Sequence, residues 1–140
     1  MKITFVCHGS ICRSPAAEMI FKSLSNEHEV ISRALTHEEI GNDIYPPMKR
    51  ELMRAGIPFT PHHATFISLD DFETSDYIFY MDAENKFMLT RRFGNSDKIL
   101  PIFYFTDGIN EIEDPWYTGN FKKVVNQITT CVKDIILNLH

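Results

Sequence analysis

Apolar positions along the chain fall into two kinds of spacing. Short runs of β-branched and aromatic residues occur at Ile3 to Val6, Val30 to Ala34, Tyr77 to Met81 and Ile99 to Ile102, each of strand length. Between them the apolar residues recur at helical intervals. Pro15 to Leu24 carries Ala16, Met19, Ile20 and Leu24 on one face, and Pro47 to Ala55 opens with a proline suited to a first turn and stops at Gly56. Asp82 is placed to cap a helix from Ala83 to about Arg92, with Gly94 just past its end. Phe121 to Leu139 places Phe121, Val124, Val125, Ile128, Cys131, Val132, Ile135, Ile136 and Leu139 at helical spacing, which predicts a long amphipathic helix. Strands alternating with helices imply an α/β fold: a small doubly wound, four-stranded parallel sheet with helices on both faces and ligand sites at the carboxyl ends of its strands. The 140 residues fit one domain, 1–140, with no repeat or linker. One long irregular stretch, Thr106 to Asn120, stands out, because loops of that length in compact domains are usually functional or disordered.

Composition adds bounds. Hydrophobic residues at 44% and charged residues at 24% are the values of an ordinary globular protein. Fourteen basic against nineteen acidic residues leave a net charge of −5, so the surface as a whole repels nucleic acid and acidic membranes, and any anion site must be local. No run reaches the ~18 apolar residues of a membrane span, and Met1 to Val6 lacks the pattern of a signal peptide. Cytoplasmic residence is the expectation. Three cysteines, Cys7, Cys12 and Cys131, are an odd set that suits reactive thiols in a reducing compartment better than a disulfide framework.

The segment richest in chemistry is Cys7-His8-Gly9-Ser10-Ile11-Cys12-Arg13-Ser14-Pro15, which follows a strand and runs into a helix. A helix N-terminus offers unpaired amides and a positive dipole end, and a tight turn ahead of it aims further amides at the same point. An anion of phosphate size fits there, held by His8, Gly9, Ser10, Ile11, Cys12, Arg13 and Ser14. Cys7 at the base of the loop is favoured as thiolate by the same field. Arg13 presents a planar fork of donors to two phosphoryl oxygens, which lysine does not. Ser14 is placed to donate its hydroxyl to the Cys7 sulfur, and Gly9 to give backbone freedom where the turn is tightest. The loop is no Walker loop, since no Gly-Lys-Ser/Thr ending is present.

This loop resembles the signature of the low-molecular-weight protein tyrosine phosphatase family, Cys-X-Gly-Asn-X-Cys-Arg-Ser-Pro, at Cys7, Gly9, Cys12, Arg13, Ser14 and Pro15. It departs at Ser10, where the family usually has an Asn whose amide holds the loop. The resemblance continues through Ser32-Arg33-Ala34, Glu39-Ile40-Gly41-Asn42, Gly56-Ile57, Asp76-Tyr77-Ile78, Met81-Asp82, Asn85 and Asp114-Pro115-Trp116-Tyr117 to the final helix. It implies a phosphatase acting on phosphotyrosine-like esters through a phosphocysteine on Cys7, with no metal and no cofactor. Phenolate departure needs a proton, since phenol has a pKa of ~10. The resemblance gives that task to Asp114, whose Pro-aromatic setting Glu111 and Glu113 lack; those two are read as solvated charges.

Trp116 and Tyr117 are expected to line the cleft and favour an aryl ester, with one of the pair packing into the core. Ile11 is a bulky aliphatic, as in tyrosine phosphatases, where Thr resembles the arginine phosphatase branch. Glu38 stands where some relatives carry a wall-forming Trp, and an acidic wall would change peptide preference. The His8 side chain is read as pointing outward. Cys12 is either a buried loop thiol or a redox partner of Cys7, and Cys131 is read as core. His37, His62 and His63 lack metal-ligand spacing and are read as solvated or structural. The expected partners are a phosphotyrosine-containing protein or small aryl phosphate, with neither nucleic acid nor membrane, and a monomeric state with weak self-association left open. Three rival functions remain. Arsenate reduction in a related fold needs relay cysteines, of which there are none between Cys12 and Cys131. A phosphoarginine phosphatase and a non-catalytic phosphate-binding module complete the set.

Overall fold

A computed structural model describes residues 1–139. Four strands, β1 (Lys2–Cys7), β2 (Glu29–Ala34), β3 (Tyr77–Tyr80) and β4 (Ile99–Pro101), form one parallel sheet in the order β2-β1-β3-β4. The four apolar runs are these strands, though Met81 and Ile102 fall just beyond their ends and are fully buried there. Six helices accompany them: α1 (Arg13–Leu24), α2 (Pro46–Arg54), α3 (Leu69–Thr74), α4 (Ala83–Phe93), α5 (Pro115–Thr118) and α6 (Phe121–Asn138).

The sheet is buried on both faces, because successive side chains of each strand alternate sides. Ile3, Phe5 and Cys7 of β1 and Phe79 of β3 join the core under α1, α2 and α6, where Phe5 meets Phe79 at 5.8 Å and Phe21 at 6.3 Å between ring centroids. Val6, Ile78 and Tyr80 point to the other face and pack with Leu89, Phe72 and Phe93 of α3 and α4. α1 departs from the predicted one-sided helix: Arg13 to Phe21 are all buried, and Leu24 at its end is exposed.

Two short helices had no periodic signal. α3 is only six residues long and is held by a capping box, in which Asp71 N donates to Ser68 Oγ and Ser68 N to the Asp71 carboxylate, each at 3.0 Å. α5 is a single turn inside the stretch predicted to be irregular, capped by Asp114, whose Oδ1 accepts from Trp116 N at 3.0 Å. Asp82 caps α4 through Asn85 N at 2.8 Å, and Gly94 follows its end, as the sequence indicates.

The chain leaves β1 toward β2 on one side and reaches β3 on the other, so β1 and β3 flank the point where strand order reverses. A crevice opens there at the carboxyl ends of the strands, and the turn after β1 fills it. Among the described residues, no helix is long and apolar enough to cross a membrane.

Candidate active site

Residues 8–12 link β1 to α1, and hydrogen bonds draw their carbonyl groups outward. Leu35 N reaches the oxygens of Cys7 and His8 at 3.1 Å, Tyr45 N that of Ile11 at 2.9 Å, and His62 Nε2 lies 2.7 Å from that of Ser10. The amides are treated differently. Among the described residues, the N–H groups of 8–12 find no acceptor in the chain, so the turn presents a concave set of unpaired donors at the start of α1. His62 is thus a structural residue that fixes the turn, and His37 stacks on Phe66 at 3.9 Å. Among the described residues, no cluster of three or more His, Cys, Asp or Glu is arranged to hold a metal ion.

The left-handed backbone conformation falls on Ser10, at φ 56°, and not on Gly9 as expected. At Gly9 the constraint is space: a Cβ there would meet the Glu39 side chain at Cγ, 3.1 Å away, and that flexible side chain would have to give by a few tenths of an ångström. Ser10 is fully buried, and its hydroxyl accepts from Ser14 Oγ at 2.9 Å. Ser14 in turn meets Cys7: its amide donates to Sγ at 3.4 Å, and the thiol donates to its Oγ at 3.2 Å. The hydroxyl relation is therefore the reverse of the expected one while sulfur holds its proton.

Arg13 is 2% exposed and has a built seat. Its Nη1 donates to Asp82 Oδ2 at 2.7 Å and to Ile112 O at 2.8 Å, and Nη2 lies 3.6 Å from Asp114 Oδ2. Burial opposes its charge, but the negative fields of Cys7, Asp82 and Asp114 outweigh this and raise its pKa further. The sequence reading named Asp82 only as a helix cap and within the family resemblance, and it missed both Asp82 and Ile112 as partners of Arg13. The signal for Asp82 was its place at the carboxyl end of a predicted strand, where ligand sites of such folds lie. Ile112 carried no chemical signal at all.

Ile112 explains how the long loop delivers Asp114. Its side chain is fully buried, and its N–H donates to Met81 O at 2.9 Å, which pins the loop to the end of β3. Glu113 is no free solvated charge: it meets Lys123 at 2.7 Å and Asn120 Nδ2 at 3.0 Å, and bonds to Lys123, Thr118 and Asn120 pull it down to about 2. Asp114 follows these two anchors directly in the chain and faces Arg13.

These groups share a cavity of about 120 Å³ lined by Cys7, the turn 8–13, Glu38, Glu39, Asp114, Trp116 and Tyr117. Neither aromatic packs in the core, against expectation. Trp116 is 48% and Tyr117 81% exposed, because α5 is one turn held off the sheet and Trp116 rests on Tyr45 at 4.5 Å. His8 lines the cleft as well, between Glu38 and Glu84. Cys12 is a free, buried thiol, pushed far up first by burial and then by the negative charges of Cys7 and Asp114. Cys131 is fully buried in the core, and burial pushes it up to about 11.

Known proteins are similar to this chain over nearly its whole length. The family described as low molecular weight phosphotyrosine protein phosphatase matches residues 2–140. The low molecular weight protein-tyrosine-phosphatase YfkJ of Bacillus subtilis is 33% identical over 149 residues, covering 99% of this chain and 96% of that protein. The human low molecular weight phosphotyrosine protein phosphatase is 36% identical over 155 residues, covering 99% and 95%. Among solved structures, the low molecular weight protein tyrosine phosphatase SP-PTP of Streptococcus pyogenes superimposes with a TM-score of 0.90 at 33% identity, over 99% of this chain and 93% of that one.

Proposed function

The chain belongs to the low molecular weight phosphotyrosine protein phosphatase family of hydrolases, and on that footing we propose how its own residues perform the reaction on a phosphotyrosine-containing protein or small aryl phosphate. The observation that carries the proposal is the convergence on one cavity of the Cys7 sulfur, the unpaired amides of 8–12, the Arg13 fork and the Asp114 carboxyl.

The phosphoryl oxygens lie on the loop amides and Arg13, which leaves phosphorus above Sγ. Ionised Cys7 attacks in line, a P–S bond forms, and the P–O bond to the aryl group breaks while the Asp114 carboxyl protonates the departing phenolate. Water then attacks the phosphocysteine, Asp114 carboxylate takes its proton, and the P–S bond breaks to release inorganic phosphate and the Cys7 thiolate. Amides and Arg13 bear the equatorial charge in both steps, and this preorganised field supplies most of the rate.

Ser10 supports the ionised nucleophile through Ser14. Hydroxyl protons rotate freely, so once the sulfur is ionised Ser14 turns to donate to it and Ser10 turns to donate to Ser14 over the same 2.9 and 3.2 Å contacts. With a single O–H donor, Ser10 does only part of what the family Asn does with its amide. Trp116 and Tyr117 give a flat ester two faces to lie between, and Ile11 narrows the entrance. Cys12, kept as a thiol by burial, is available to condense with a Cys7 sulfenic acid formed by a peroxide, giving a disulfide and water.

Hydrolysis of p-nitrophenyl phosphate tests the assignment. Cys7→Ser is expected to abolish turnover and Asp114→Asn to slow it by about 10²–10⁴-fold. Binding of phosphate without turnover by the unaltered protein would leave a phosphate-binding module, and reduction of arsenate to arsenite would leave the reductase. Equal rates on tyrosine, serine and arginine phospho-substrates would defeat the aryl preference.

A further inference from the structure

The rim of the phosphate cleft carries charge that the proposed chemistry does not use. The His8 ring bridges two carboxylates, with Nε2 3.0 Å from Glu38 Oε2 and Nδ1 3.1 Å from Glu84 Oε1. Glu38 belongs to the segment after β2 and Glu84 to the first turn of α4, so one imidazole ties both segments to the phosphate turn. A neutral imidazole has one N–H, and only the imidazolium donates to both partners at once. Partial burial works against that charge, but the hydrogen bonds and charges of the two glutamates prevail and raise His8 above its ordinary 6.5.

The other charged groups around the cleft are Arg13, Asp82, Glu39, Glu111, Glu113 and Asp114. Arg13 is matched by Asp82 and Asp114, and Glu113 by Lys123. Among the described residues, Glu39 and Glu111 have no ion pair, and no lysine lines either half of the cleft. The Glu38–His8–Glu84 group adds one further net negative charge. A substrate whose phosphoryl group is seated on Arg13 therefore meets a carboxylate rim with everything that flanks its tyrosine.

Resting on the phosphatase reading above, we infer that Glu38 is a specificity determinant, held in place by His8, that selects phosphotyrosine with lysine or arginine beside it over phosphotyrosine flanked by aspartate or glutamate. Glu38 is well suited to this. It lines the aryl cavity, its side chain is 68% exposed, and the bond to His8 has already restricted its rotamers. Pairing with a substrate cation then costs less side-chain entropy than it would for an unheld glutamate. An acidic neighbour is opposed by the same charges, since like-charge juxtaposition suppresses wrong partners. Attraction in one case and repulsion in the other, each of surface-pair strength, combine to a preference of about tenfold.

The test uses two phosphopeptides identical except for the residues flanking phosphotyrosine, Lys in one and Glu in the other, hydrolysed by the full chain at low salt. The expected kcat/KM ratio is about tenfold in favour of the Lys peptide, carried by KM and shrinking as salt screens the rim. Glu38→Gln is expected to reduce the ratio to a few-fold, and Glu38→Lys to reverse it. Equal rates on the two peptides, a preference for the Glu peptide, or a ratio indifferent to Glu38→Lys overturns this inference and leaves the phosphatase standing. So does failure on both peptides by an enzyme active on p-nitrophenyl phosphate. Failure on all three substrates overturns the phosphatase reading and this inference with it.

Discussion

Replacing Asp82 by Asn tests whether the seat of Arg13 is built by Asp82 or by Asp114. The Arg13 guanidinium is 2% exposed and its nearest carboxylate oxygen, Asp82 Oδ2, is 2.7 Å away and 16% exposed, whereas Asp114 lies at 3.6 Å and is 25% exposed. At an effective dielectric of ~20, two unit charges about 4 Å apart attract by ~4 kcal/mol. Removing one partner of a buried pair typically costs ~3–5 kcal/mol, because the other charge is left uncompensated. The Asn amide also cannot serve Arg13 and the Asn85 N–H alike, so either the ion-pair contact or the cap of α4 is weakened. Asp114 and Ile112 O retain part of the field, which places the expected loss near the lower end, at ~3 kcal/mol. For a chain of this size that is a fall of about 10 °C in Tm. Asp114→Asn is expected to cost less than ~1 kcal/mol, since its oxygen is beyond hydrogen-bond distance. Urea titration at neutral pH reads both variants, with m unchanged if the denatured state is unaffected. Equal losses, or a larger loss for Asp114→Asn, would refute the claim that Asp82 holds Arg13.

Other outcomes follow from the same geometry. The His8 clasp has a raised pKa, so its contribution to stability is complete below about 6.5 and is lost as pH rises through the folded value; urea midpoints measured from pH 5 to 9 should fall across that window, and His8→Gln should remove the fall. Gly9→Ala should change stability by less than ~1 kcal/mol, because φ is not left-handed and the 3.1 Å contact is with the flexible Glu39 side chain, and a loss above ~2 kcal/mol by thermal melt would contradict this. Iodoacetamide at neutral pH should modify Cys7 while sparing Cys12 and Cys131, whose thiols burial pushes up; peptide mass mapping that found Cys12 labelled first would reverse the assignment.

The strands and long helices were legible because each has a local cause. β1, β2, β3 and β4 are apolar runs bounded by polar segments, and α4 is bracketed by a capping Asp82 and a terminal Gly94. α3 and α5 were not legible because six and four residues hold too little periodicity to exceed chance. Ser68-x-x-Asp71 was nevertheless a readable cap, and Asp114-Pro115 a readable start of a turn. In the phosphate turn, the sequence marked Gly9 as special, but the positive φ belongs to its neighbour. A glycine is informative about need for space or for conformation, and the letter alone does not separate the two.

Cys7 and Arg13 were proposed from one stretch of nine positions and Asp114 from its Pro-aromatic setting and the family resemblance, whereas the contacts that support them were hidden by distance along the chain. Arg13 is 69 residues from Asp82 and 99 from Ile112, and no local pattern links them. That support has a consequence for the chemistry. Arg13 contacts the cap of α4, the backbone of the loop that carries Asp114 and the Asp114 carboxylate, so in the proposed mechanism the group assigned to the phosphoryl oxygens also sets the distance from nucleophile to acid. Ile112 holds the loop to β3 through Met81 O and to α1 through Arg13 with its two backbone groups. In the proposed mechanism, loosening of that one residue would release one of the bonds to Arg13 and shift Asp114 from the leaving oxygen while Asp82 still holds Arg13, so proton delivery would be impaired before phosphate binding.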